Sequence, residues 1–190
     1  MKALTAAEMR ELDRLTTERF GISQSQMMEN AGKAVAEFVQ QEISQRFNRP
    51  ARHIFVLCGK GNNGGDGLVA ARYLREEFRH TTVILFASPQ ELRGDPARNF
   101  QLWRELSGET LVVENEVAWS AAMQRLASAD IVLDALLGTG FGELRPALLR
   151  RQSPISMHSL ATQPPQRPAW WWRSTLPPAC PRMVSLPRAR

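Results

Sequence analysis

The apolar run His53-Ile54-Phe55-Val56-Leu57-Cys58 is bounded by Pro50 and Gly59 and leads directly into Gly59-Lys60-Gly61-Asn62-Asn63-Gly64-Gly65-Asp66-Gly67. Helical spacing follows at Leu68-Val69-Ala70-Ala71-Arg72-Tyr73-Leu74. A short, wholly apolar run is the signature of a strand covered on both faces, as inside a parallel sheet. The pattern then repeats. Strands are predicted at Thr82–Ala87, Thr110–Val113 and Asp130–Asp134, and helices at Asp95–Leu106 and Val117–Leu126. Strands alternating with helices mean βαβ units and a doubly wound, mostly parallel sheet. Ligands in such sheets bind beyond the C-terminal strand ends. That leaves two candidate loops, one after the first strand and one after the fourth.

Two helices precede the sheet. Thr5-Ala6-Ala7-Glu8 has the form of a capping box, and Leu4, Met9, Leu12 and Leu15 make an apolar stripe. The helix is expected to stop near Gly21. Ser23-Gln24-Ser25-Gln26 opens a second helix, through Met27-Met28-Glu29-Asn30-Ala31-Gly32 to about Phe47, where Asn48-Arg49-Pro50 ends it.

The 190 residues suit one domain with a real core. No run of ~18 apolar residues predicts a membrane span, and the N-terminus lacks the apolar region of a signal peptide. Cys58 and Cys180 make neither a disulfide framework nor a metal-ligand spacing, so a reducing cytoplasm is the expected compartment. The net charge of +5 would invite a nucleic-acid reading. Its location argues otherwise. Residues 144–190 hold eight arginines and no acidic residue, which leaves 16 basic and 19 acidic groups elsewhere, net −3. The body is mildly acidic and only the tail is basic.

Residues 1–146 are therefore read as the domain and 147–190 as a disordered, basic tail rich in Pro, Arg and Trp. Eight of the twelve prolines lie in 154–187. Arginine beside Trp170-Trp171-Trp172 could serve a nucleic acid or a membrane, but a different origin fits better. Tryptophan has a single codon, TGG. Read one base earlier, the Trp–Trp junctions become valine codons. With permitted codon choices the segment from Trp170 becomes Val-Val-Val-Ala-Val-Asp-x-Pro-Ser-Gly-Val. That is a fifth buried strand followed by an acidic glycine loop, and the tail is read as out of frame with it.

Chemistry concentrates in the two loops. Five glycines in the nine residues from Gly59 to Gly67 allow positive φ and close ligand approach. Free N–H groups at the following helix start favour an anion such as pyrophosphate. Asn62 and Asn63 add amide groups. Asp66 puts a carboxylate where an anion fits, which suggests hydroxyl contact, proton transfer or cation coordination. The bland reading is a turn with an Asp N-cap. Gly59, Gly61 and Gly64 form G-x-G-x-x-G, a weak signal alone. A dinucleotide oxidoreductase would also carry an acid at the end of the next strand, where Ala87-Ser88-Pro89-Gln90 stands and Glu91 comes late. Asp134-Ala135-Leu136-Leu137-Gly138-Thr139-Gly140-Phe141-Gly142 is the second loop, in which Asp134 either caps a turn or faces a ligand. Cys58, Met27, Met28, Trp103 and Trp119 read as packing, and His53 and His80 as exposed flanks. No Ser-His-Asp or metal constellation is visible.

Met28-Glu29-Asn30-Ala31-Gly32, Gly61-Asn62-Asn63-Gly64-Gly65-Asp66-Gly67 and Asp134-Ala135-Leu136-Leu137-Gly138-Thr139-Gly140 resemble, in order and spacing, the YjeF N-terminal domain family of NAD(P)H-hydrate epimerases. The resemblance covers about residues 1–146. It implies a Rossmann-like three-layer α/β/α fold, incomplete here at the C-terminus, and a homodimer using no nucleic acid or membrane. It implies epimerisation of the R and S forms of hydrated NADH or NADPH, a nucleotide repair reaction. Asn62, Asn63, Gly64, Gly65 and Asp66 would bind substrate, as would Gly138, Thr139, Gly140 and Phe141. Asn63 and Asp134 would hold potassium, and Asp66 is the candidate catalytic acid–base. The family's Asp-x-Pro-Ser-Gly loop is missing from the chain and present in the shifted reading, so activity of this chain is in question. The other readings are a dinucleotide-binding oxidoreductase and a non-catalytic nucleotide-binding or scaffold protein.

Overall fold

The computed structural model describes residues 5–46, 53–136 and 170–173. Helix α1, Ala6–Phe20, begins at the predicted capping box: Thr5 N–H donates to Glu8 Oε2 at 2.7 Å and Glu8 N–H to Thr5 Oγ1 at 3.2 Å. It ends at Gly21, whose φ of +67° is the left-handed conformation that stops helices cheaply in glycine. Helix α2, Gln24–Arg46, is opened by Ser23 Oγ accepting the Gln26 N–H at 3.1 Å. The Gln26 side chain donates forward to Asn30 Oδ1.

Strands β1 Ile54–Cys58, β2 Thr81–Leu85, β3 Glu109–Val112 and β4 Ile131–Ala135 pair in parallel, with α3 Asn62–Glu77, α4 Gly94–Glu105 and α5 Glu116–Leu126 between them. The order across the sheet is β3-β2-β1-β4, with β5, Trp170–Arg173, beyond β4. Strand alternation sorts the core into two layers. Ile54, Val56, Cys58, Val83, Leu85, Ile131 and Leu133 pack under α2, α3 and α4. Phe55, Leu57, Ile84 and Val132 face α5. The three-layer α/β/α expectation therefore holds. Trp103 is fully buried and donates from Nε1 to Thr110 Oγ1 at 2.9 Å, and Trp119 meets Phe86 edge-on, so both pack as expected. Of the two histidines that flank strands, His80 is exposed and His53 half-buried, their rings stacked at 5.5 Å.

Two boundaries differ from the sequence reading. Helix α3 begins at Asn62 rather than at Leu68, so most of the glycine run is already helical. Three small buried residues (Gly64, Gly65 and Gly67) let that turn lie on its neighbours, which outweighs glycine's poor helix propensity. The second difference lies in the segment expected to lack regular structure. Trp170–Arg173 forms β5, parallel to β4, with Trp170 opposite Ile131 and Arg173 opposite Asp134. These are the codons whose shifted reading opens the valine run.

Helix α5 depends on one cap, Asn115, whose side chain accepts the Ala118 N–H at 2.9 Å. Asn115→Ala is expected to lower unfolding stability by about 1 kcal/mol, read as a lower urea midpoint at unchanged slope.

Candidate functional site

The strand order decides where a ligand can sit. From β1 the chain steps outward to β2 and β3, then returns to place β4 on the other side of β1. The strand order thus reverses between β1 and β4, and the space beyond their C-terminal ends is the usual ligand crevice of such sheets. Both loops singled out in the sequence start there. They also touch. Gly59 N–H donates to Ala135 O at 3.2 Å, and a Cβ on Gly59 would stand 2.3 Å from Leu136 O.

The glycines here provide close approach, and the expected positive φ is not found: among the described residues, left-handed glycines are Gly21 and Gly94. A Cβ on Gly64 would lie 1.8 Å from Gly59 O. One on Gly67 would lie 2.5 Å from Ala135 Cβ and 3.0 Å from Cys58 Sγ. The first turns of helix α3 thus lie directly on the sheet, with no side chain on Gly64 or Gly67 to hold them off. Its N-cap is Gly61, in extended conformation and giving no side-chain cap, and the first helical bond runs from Gly65 N–H to Gly61 O at 3.0 Å. The amides of the first turn, Asn62 to Gly64, point out of the helix start, where the partial positive charge favours an anion.

Asp66 sits in the second turn of this helix and is not its N-cap, so the bland reading of that residue falls. It is half-buried. Burial pushes its carboxyl up to about 7, and the Asp13 carboxylate on α1 adds to the effect. An acid that titrates near neutrality can both give and take a proton at working pH. Sequence reasoning missed Asp13, because only tertiary packing brings α1 near α3.

Asp134 is the next-to-last residue of β4, 6% exposed, and its Oδ1 accepts the Leu136 N–H at 3.0 Å. The turn-capping reading of Asp134 therefore holds. Asn62 is exposed, whereas Asn63 is half-buried with its Nδ2 shielded from solvent. Among the described residues no three His, Cys, Asp or Glu side chains gather as a metal site. Cys58 is fully buried, and burial drives its thiol well above the usual range, so it is an inert core residue as expected. Glu91, late in sequence, still reaches the first loop: the short 3₁₀ turn Pro89–Glu91 brings it to 3.9 Å from Lys60 Nζ. The expected substrate residues 138–141 lie outside the described residues.

The strand order and the two loops together define a doubly wound α/β domain with a candidate site at its strand ends. The family model for the YjeF-related protein N-terminus matches residues 24–155, and the chain belongs to that family. It is 40% identical over 141 residues to the bifunctional NAD(P)H-hydrate repair enzyme Nnr of Moorella thermoacetica, covering 74% of this chain and 26% of that protein. It is 37% identical to the NAD(P)H-hydrate epimerase of Rhodopirellula baltica, covering 72% and 52%. With the NAD(P)H-hydrate epimerase of Rhodobacter capsulatus it shares 36% identity, covering 80% and 72%. The chain thus spans from about a quarter to about three quarters of these relatives. The crystal structure of yeast ynu0 superposes with a TM-score of 0.70 at 23% identity, covering 94% of this chain and 71% of that one, a likeness of fold. No helix among the described residues is long and apolar enough to cross a membrane.

Proposed function

We propose that this domain epimerises hydrated NADH and NADPH, interconverting their R and S forms. The observation that carries the reading is Asp66, a carboxyl raised to about 7 in the turn that opens the crevice. Relatives named NAD(P)H-hydrate epimerase or NAD(P)H-hydrate repair enzyme are 36–40% identical over 72–80% of the chain. The amides of Asn62, Asn63 and Gly64 serve the substrate's phosphate and ribose groups, with Gly65 beside them in the same turn. Asp66 in its protonated form gives a proton to the C6 hydroxyl, which leaves as water as the ring nitrogen's lone pair fills in. Water then adds to the other face and returns a proton to the Asp66 carboxylate. Residues 138–141 complete the substrate contacts.

Potassium is part of the same proposal. Asn63 in the first turn of α3 and Asp134 near the end of β4 are oxygen-bearing side chains, and buried carboxylates are paired or hold cations. The residues fit an alkali cation, which would supply positive charge for a pyrophosphate. Association into a homodimer through the N-terminal helix pair is also proposed, since α1 exposes Leu12 and Phe20, the latter 75% accessible; sedimentation velocity tests it.

The deciding experiment follows epimerisation of freshly hydrated NADPH in potassium and in sodium buffer, beside a frame-restored form of the gene. Turnover by either form, faster in potassium, is the expected outcome. No turnover by the frame-restored form would overturn the reading.

A further inference from the structure

The segment Met28-Glu29-Asn30-Ala31-Gly32 is not used by the proposed chemistry, yet Met28 and Gly32 fall on the turns of α3 around Asp66, and Glu29 bonds the same helix further along. A Cβ on Gly32 would stand 2.4 Å from Val69 Cβ and 2.7 Å from Asp66 O, so α2 crosses α3 with the Asp66 main chain directly against it. Met28 covers Gly65: a Cβ there would meet Met28 Sδ at 2.6 Å and Pro96 Cγ at 3.2 Å. Asn99 on α4 donates from Nδ2 to that sulfur at 3.4 Å and to Asp95 O at 3.1 Å. Glu29, one residue on, accepts from Arg72 Nη1 and from the Tyr73 hydroxyl, each at 2.9 Å. Arg72 Nη1 also donates to Asn99 Oδ1 at 2.9 Å. Glu29 and Arg72 are 30% and 20% exposed.

Apolar residues would pack two helices as firmly. A partly buried ion pair adds little net stability, because desolvation offsets the attraction, but it specifies one arrangement. Arg72 lies on α3, six residues beyond Asp66, so the pair ties that helix to α2. Burial pushes the Glu29 carboxyl up, but hydrogen bonds from Arg72 and Tyr73 outweigh it and hold the group below its ordinary range, so the pair is ionised at neutral pH. Nearby charge does not confuse the picture. Arg98 acts on Glu29, and Asp13 on α1 is the charged side chain that acts on Asp66.

We propose that Met28, Glu29 and Gly32 form a positioning element for the reaction centre, locking the first turns of α3 so that Asp66 keeps one direction and water is held away from it. This rests on the catalytic reading of Asp66 only for its effect on rate. The structural part stands alone, since it concerns how the Asp66 carboxyl is surrounded.

The test follows the Asp66 carboxyl by carbon-13 NMR titration of the full chain, its resonance assigned by its loss in Asp66→Asn, in wild type, Gly32→Ala, Glu29→Gln and the remote helix-cap variant Asn115→Ala. Circular dichroism selects conditions in which each is folded. In Gly32→Ala the added methyl parts α2 from α3, water enters, and the midpoint near 7 is expected to fall by about one pH unit. Glu29→Gln keeps the size and is expected to give a smaller fall, restored in part by Glu29→Asp. Where the chain turns over, Glu29→Gln lowers kcat about tenfold with KM little changed. Asn115→Ala loses stability without moving the midpoint. An unmoved midpoint in both α2 variants, or an equal shift in Asn115→Ala, overturns the proposal. If Asp66→Asn keeps full rate, the catalytic reading fails while the titration still decides the positioning.

Discussion

Asp66→Asn is expected to slow epimerisation by about 10²–10⁴-fold and, at the same time, to raise the melting temperature. The two effects share one cause. The half-buried site disfavours the charged carboxylate, lifting the group from 3.8 to about 7. A carboxyl raised on folding does no harm below its unfolded value and destabilises progressively as pH rises through the folded one. Above pH 7 that penalty is complete and reaches up to ~4 kcal/mol. Asparagine, neutral and of equal size, removes it. The gain in melting temperature should thus be large at pH 8 and near zero at pH 4, by scanning calorimetry across that range. The rate loss should appear in kcat more than in KM, because the carboxyl acts on the proton in flight. Equal thermal stability of the two proteins at pH 8, or a variant with the wild-type rate, would remove Asp66 from this role.

Gly64→Ala is expected to damage both folding and binding. The new methyl carbon would sit 1.8 Å from the Gly59 carbonyl oxygen. No flexible side chain can give way, because the obstacle is main chain at the end of a central strand. Helix α3 must lift from β1, at a cost of about 1–3 kcal/mol or more. The lift carries the first-turn amides and Asp66 with it. Urea unfolding should show the lost stability, and affinity for hydrated NADPH should fall by more than tenfold, since a displacement of about 1 Å is enough for such losses. Gly61→Ala is the matched comparison, as nothing lies within 4 Å of a Cβ there. Equal effects at the two positions would show that the contact with Gly59 is not what matters.

Much of this architecture was legible before any coordinates. Strands β1, β2 and β4 announced themselves because each is buried on both faces, whereas β3, at the sheet edge, is only partly buried. Thr5, Glu8 and Gly21 marked the ends of α1 because capping is local chemistry. The glycine run announced a site, but its physics was misread. Glycine permits both left-handed turns and close contacts, and only coordinates distinguish them; here the contacts with Gly59, Met28 and Ala135 account for the residues. The same ambiguity placed the start of α3 six residues late. Glu91 was set aside because distance along the chain was taken for distance in space.

The tail shows the opposite error. Trp170–Arg173 carries no period that marks a strand, yet the exposed edge of β4 offers hydrogen bonds to any extended segment that reaches it. Backbone pairing is indifferent to side-chain pattern, so sheet completion was invisible in composition.

The sequence by itself determined the class of fold, the two candidate loops and the family, because these rest on local periodicity and on motifs contiguous in the chain. Only the tertiary structure decided the strand order that sets both loops at one crevice. Only it showed the carboxylate of Asp13 acting on Asp66 and the face of α2 packed against the turn that carries Asp66. Burial and through-space charge depend on which residues become neighbours, and no reading along the chain contains that information.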